Sequence, residues 1–150
     1  MAKSKKIFFL VAILVGGALT AFVLFGPPRM LARSSEPDFC SSCHVMEAEF
    51  QAWAHVGAHR RIKCVDCHLP NQNQYVHYLW KSIDGLKDVY MFYSGQVSDD
   101  IEMTAHARKV LQANCIRCHS TTVSMIDDQR ECWKCHRGLQ HQRSGTIQTL

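Results

Sequence analysis

Four stretches decide how this chain folds: Cys40-Ser-Ser-Cys43-His44, Cys64-Val-Asp-Cys67-His68, Cys115-Ile-Arg-Cys118-His119 and Cys132-Trp-Lys-Cys135-His136. Together they use all 8 cysteines of the 150-residue chain. C-x-x-C-H is the attachment pattern of c-type haem. Its two thiols, one short turn apart, form thioethers to the two vinyl groups of one macrocycle. The adjoining histidine is then held under the iron as a neutral imidazole. Paired cysteines also build Cys₄ zinc sites or structural disulfides, but neither use requires a histidine after every second cysteine. The pattern therefore predicts four covalently attached haem c groups, with His44, His68, His119 and His136 as the motif ligands.

Upstream of the first motif, residues 7–25 read IFFLVAILVGGALTAFVLF and carry no charge. At about 1.5 Å per residue such a helix spans about 28 Å, close to the hydrocarbon thickness of a bilayer. Lys3, Lys5 and Lys6 precede it, so the positive-inside rule puts residues 1–6 in the cytoplasm. Gly26, Pro27 and Pro28 end the helix at the outer face. A cleaved signal peptide is the competing reading. Its apolar region is normally about 7–15 residues long and ends at a small-x-small site, whereas here the run is longer and Pro27-Pro28-Arg29 follows it. The reading is a retained anchor at 7–25 in the cell inner membrane and a periplasmic domain over 26–150. Both readings export the haem motifs.

Composition removes other classes. A net charge of +4 with no long basic stripe gives no case for nucleic-acid binding. A hydrophobic fraction of 47% argues against disorder. About 120 exported residues must enclose four macrocycles, which then provide much of the apolar core. The motif starts are 24 residues apart in the first pair and 17 in the second, with 51 between the pairs. Within that gap, residues 75–93 space Tyr75, Leu79, Ile83, Leu86 and Tyr90 as one helical face. Asn71–Gln74 leads in and Ser94-Gly95 supplies the stop. Residues 99–114 and 47–59 are further helix candidates, and no alternating strand pattern occurs. The expected fold is mainly α: one N-terminal transmembrane helix plus a compact, haem-packed domain with long loops and little or no sheet.

Five histidines lie outside the motifs. His59, five residues before the second motif, and His141, five after His136, are the preferred distal ligands. His141 is too close to His136 to reach over its own haem. His55, one turn before His59, is placed to meet a propionate, and His77 and His106 read as exposed. Met46 follows the first motif at Cys43-His44-Val45-Met46; on its own chemistry it reads as a packing residue, although a thioether is a soft ligand that raises a haem potential. Lys81 and Asp88 read alone as a solvated face with a Lys81–Asp84 pair worth about 0.3 kcal/mol.

Phe39-Cys-Ser-Ser-Cys-His-Val-Met46 behind a single anchor resembles the NapC/NrfH family of tetrahaem quinol dehydrogenases. So do Cys64-Val-Asp-Cys-His-Leu-Pro70, Lys81, Gly85-Leu-Lys-Asp-Val-Tyr90, Ala113-Asn-Cys115 and Gln140-His141. Length and motif order fit the small subunits that serve cytochrome c nitrite reductase better than the longer members. The resemblance implies that Met46 ligates the first haem in place of His44. It also puts Asp88 at the open face of that haem and Lys81 beside a quinol pocket. His59 and His141 become distal ligands of the fourth and third haems, leaving the sixth ligand of the second to a partner or to none. The implied function is oxidation of membrane quinol, menaquinol ahead of ubiquinol, with electrons passed to a periplasmic multihaem nitrite reductase. Two alternatives remain: a general quinol dehydrogenase feeding several reductases, and a relay with no quinol site.

Overall fold

The computed structural model describes residues 2–27, 29–55, 57–98, 101–127 and 129–139. Helix α1, Ala2–Phe25, includes a stretch, Lys5–Phe25, of 21 residues that is apolar enough to cross a membrane. It begins before the apolar run, because lysines are good helix formers and continue the helix outward. Thr20, its one hydroxyl beyond the lysines, donates to the Gly16 carbonyl at 2.9 Å, so no polar group there is left to lipid. Gly26 closes the helix by donating to the Phe22 carbonyl at 2.8 Å. A Cβ at 26 would lie 2.3 Å from that oxygen, so this turn admits only glycine. Arg29 then adopts a left-handed φ of 45° and redirects the chain into α2, Met30–Arg33.

Among the described residues everything regular is helical. Helix α3, Pro37–Cys40, carries a proline in its first turn, where the missing N–H costs nothing. Helix α4 is Glu47–Ala54 and α5 is Cys64–His68. Helix α6, Gln74–Tyr93, starts within one residue of the periodicity-based expectation. The Asn73 side chain caps it by accepting from the Tyr75 and Val76 amides at 2.8 and 3.3 Å. Gly95 at φ 68° terminates it, as Ser94-Gly95 indicated.

Two boundaries differ from the sequence reading. The helix expected over 47–59 stops at Ala54, and Gly57–Arg61 forms a separate 3₁₀ turn. The Trp53 indole donates to the His59 and Ile62 carbonyls at 3.1 and 3.2 Å, which folds this segment back against α4. The helix expected over 99–114 is α7, Ala105–His119. Its start is set by Thr104, whose hydroxyl accepts from the Ala107 amide at 3.2 Å, and it continues through the whole third motif. Helix α8 is Cys132–Cys135.

The protein's own side chains bury little. Leu69, Val110 and Trp133 are the buried hydrophobic residues among those described, and Asn114 is the buried polar one. The most extensive packing between separate helices joins α5 to α7, so the second and third motifs share the firmest part of the domain.

Candidate functional site

Each motif is built on a tight turn that puts its two thiols on one side. The second motif is helix α5 entire, the third is the last turn of α7, and the fourth is α8 with His136 as its C-cap. In the first motif Cys40 ends α3, and His44–Met46 form a 3₁₀ turn closed by the Met46 amide on the Cys43 carbonyl at 2.9 Å. Residues three apart on such turns project together, which is the geometry that two thioethers to one macrocycle need. None of the eight cysteines is in a disulfide, so each is available to bond a vinyl group. Among the described residues no three of His, Cys, Asp or Glu converge as a metal cage. The donor set, two thiols and one imidazole per turn in a domain with so small a core of its own, fits haem c.

The motifs touch in chain order. The Cys64 thiol hydrogen-bonds Cys40, which pulls Cys40 down to about 7 and pushes Cys64 up. Cys67 is raised, first by burial and then by the charges of Asp66 and Cys118. Cys115 is pushed up to about 11 by burial and then by Cys132 and Cys67. First meets second, second meets third and third meets fourth.

Helix α7 holds this series together. Asn114, next to Cys115, donates its amide to the Cys67 and Leu69 carbonyls at 2.9 and 2.8 Å. These carbonyls lie at the C-terminal end of α5, where no intrahelical donor reaches them. Asn71 reinforces the same end, donating to the Val65, Asp66 and Leu69 carbonyls at 3.2, 3.0 and 2.7 Å. Two residues earlier on α7, and so on its other side, Gln112 donates to the Arg130 carbonyl at 3.0 Å and accepts from the Cys132 amide at 3.1 Å. Sequence reading missed both clamps. The available signal was two amide side chains, Gln112 and Asn114, among the apolar positions between Val110 and Cys115.

Helix α6 presents one face to the first motif. The Phe92 ring lies 5.4 Å from that of His44. Lys81 and Asp88 each act electrostatically on Cys40, Lys81 lowering its pKa and Asp88 raising it. Lys81 does not pair with Asp84; its ammonium donates to the Leu31 carbonyl at 2.9 Å and to the Ser35 hydroxyl, tying mid-α6 to the turn beyond the anchor. Burial pushes Lys81 down, with Cys40 opposing and Lys63 assisting. Asp88 is exposed as a residue, yet partial loss of water around the carboxyl pushes it up, opposed by Lys87 and aided by Asp84. Both groups are thus biased toward their neutral forms.

The remaining histidines take distinct places. The His59 ring lies 6.1 Å from that of His119 in the third motif. His55 contacts the Gln51 carbonyl at 2.7 Å and His77 the Pro70 carbonyl at 3.1 Å. His106 stacks on Trp80 with ring centres 3.7 Å apart. Met46 is half-buried beside the more exposed His44. His141 lies outside the described residues.

An apolar N-terminal helix followed by a helical domain of C-x-x-C-H turns defines a membrane-anchored c-type cytochrome with covalently bound haem c. Residues 2–144 match the NapC/NirT cytochrome c family, N-terminal region, and the chain belongs to that family. It is 30% identical to cytochrome c-type protein NrfH of Wolinella succinogenes, the alignment covering 100% of this chain and 93% of that protein. It is 33% identical to cytochrome c nitrite reductase subunit NrfH of Nitratidesulfovibrio vulgaris, over 90% of this chain and 83% of that one. The fold matches a chain in the crystal structure of the cytochrome c nitrite reductase NrfHA complex bound to the HQNO inhibitor. The TM-score is 0.72 at 32% identity, over 95% of each chain.

Proposed function

We propose that this chain is a tetrahaem quinol dehydrogenase of the inner membrane that takes electrons from quinol at the first motif and passes them to a periplasmic cytochrome c nitrite reductase. The observation that carries this reading is that the α6 face bearing Lys81 and Asp88 also carries Phe92, whose ring lies 5.4 Å from that of His44 in the first motif. Quinol oxidation releases two protons with its two electrons. A carboxylate raised by desolvation is a stronger base and suits Asp88 to accept a proton from a quinol hydroxyl. Lys81, pinned to Leu31 and Ser35, is placed to hydrogen-bond the quinol oxygen or quinone carbonyl. Bound haem supplies one-electron iron chemistry and the relay between centres.

In this reading the cysteines of the four motifs each hold one haem, four in all. His68, His119 and His136 serve as motif ligands, Met46 as the first haem's ligand, and His59 and His141 as distal ligands. Residues 1–6 are cytoplasmic, 7–25 span the membrane, and 26–150 lie in the periplasm. The chain-order contact of the motifs supports a path leading outward from the anchor. The similarity to NrfH proteins supports a nitrite reductase catalytic subunit as the acceptor.

The test is purification with native lipid followed by anaerobic addition of a menaquinol analogue. Prompt reduction of the haem absorbance is expected without any partner. Asp88→Asn and Lys81→Leu should each slow it at least tenfold while leaving dithionite-reducible haem unchanged. Unchanged quinol-driven rates in both variants would reduce the chain to a relay. One large multihaem cytochrome in stoichiometric co-purification is the expected acceptor; several reductases in its place would mark a general donor.

A further inference from the structure

The face of α6 opposite Lys81 and Asp88 is apolar and uncovered. Tyr75, Leu79, Ile83, Leu86, Val89, Tyr90 and Tyr93 are all exposed, with Tyr75 at 87%, Leu86 at 73% and Tyr93 at 83%. At 100° per residue these seven side chains fall within an arc of about 120° and run about 27 Å along the helix. No charged side chain falls in the arc: Lys81, Asp84, Lys87 and Asp88 lie outside it. Ser82, at its margin, spends its hydroxyl on the Tyr78 carbonyl at 2.9 Å and so needs no water. Large uncovered apolar stripes on a folded domain mark a binding surface.

We propose that this stripe is a second membrane contact, with α6 lying in the outer interface of the same bilayer that holds α1. Three observations select lipid over a protein occupant. The Lys81 bond to the Leu31 carbonyl fixes the middle of α6 to a point six residues beyond the end of α1. Six residues span at most about 20 Å, so the helix is held within reach of the membrane surface. Tyrosines stand at both ends of the stripe, Tyr75 at one and Tyr90 with Tyr93 at the other, the residue type that favours the headgroup boundary, where the ring is in apolar contact and the hydroxyl is wet. An amphipathic helix with its charges on the far side is the form that lies in an interface. The contact is distinct from the anchor and goes beyond the quinol reading. It would set the level of the Lys81–Asp88 face above the lipid, whether or not quinol binds there.

The test uses the full haem-loaded chain in nanodiscs of phosphatidylethanolamine and phosphatidylglycerol. It combines a lipid-partitioned diazirine with water-borne hydroxyl-radical footprinting, both mapped by mass spectrometry. Helix α1 is the internal positive control and the exposed side of α7 the negative one. Carbene labelling of Leu79, Leu86 and Tyr90 is expected within threefold of α1 and at least tenfold above α7. Leu79→Glu with Leu86→Glu, both on the exposed face, should remove that labelling while helicity, haem content and α1 labelling persist. Labelling at the α7 level overturns the proposal in either of two ways. If the stripe is open to hydroxyl radicals it faces water; if it is closed to both reagents, one of the chain's own macrocycles, a second copy or another protein covers it.

Discussion

Asn114 offers the sharpest test of how the motifs are held together. It is 3% exposed, and its amide donates to the Cys67 carbonyl at 2.9 Å and the Leu69 carbonyl at 2.8 Å. Asn114→Ala deletes both bonds. Each is worth about 1 kcal/mol net, and an orphaned buried acceptor adds about 1–3 kcal/mol. Leu69 retains the Asn71 amide at 2.7 Å, so the orphan penalty falls on Cys67 alone. The sum is about 3–5 kcal/mol, or roughly 10 °C or more in Tm for a chain of this size. Asn114→Asp is expected to be worse than alanine, because a carboxylate cannot donate and would face two carbonyl oxygens. The assay is thermal unfolding followed by far-UV circular dichroism, with a pyridine haemochrome count to show that both variants carry the full haem complement. A loss under about 0.5 kcal/mol, or an aspartate variant no worse than alanine, would refute the clamp.

Three further outcomes follow from the geometry. Asp88 accepts a proton only as a carboxylate, so quinol-driven haem reduction falls as pH drops through its pKa, which lies above the ordinary value of 3.8. Asp84 helps to raise that pKa, so Asp84→Asn should move the acid limb of the pH–rate profile to lower pH, whereas Lys87→Met should move it higher. Asn73→Ala removes the cap on α6 and should cost about 1 kcal/mol in urea unfolding. The Lys63–Glu36 pair, 2.5 Å long and open to water on both sides, should be nearly silent: Glu36→Gln is expected to leave the melting curve unchanged within error.

How much of this was readable in advance depended on the range of the cause. The four motifs and helix α6 rest on spacing within a few residues, and the structure reproduces them, α6 to within one residue at its start. The break after Ala54 was not readable, because it depends on the Trp53 indole finding carbonyls at His59 and Ile62. Nor was the start of α7, where the cap at Thr104 outweighed a composition that read as helix from residue 99. The α5–α7 clamp joins Asn114 to carbonyls more than forty positions away, and no local pattern encodes that pairing. Lys81 and Asp88 were visible as two residues seven apart on a helix. Only the packing of α6 on the first motif decided that they face Cys40, and that Lys81 spends its charge on Leu31 and Ser35 instead of Asp84.

The neighbour-to-neighbour arrangement of the cysteine turns also bears on how the chain is made. A polypeptide threaded outward from its N-terminus delivers these turns one at a time. Each newly emerged turn then needs only its immediate predecessor to dock against, and that predecessor has already crossed. The turns can therefore seat from the tether outward as they emerge, whereas the third haem, whose distal ligand in the proposed reading is His141, is completed only when the tail arrives.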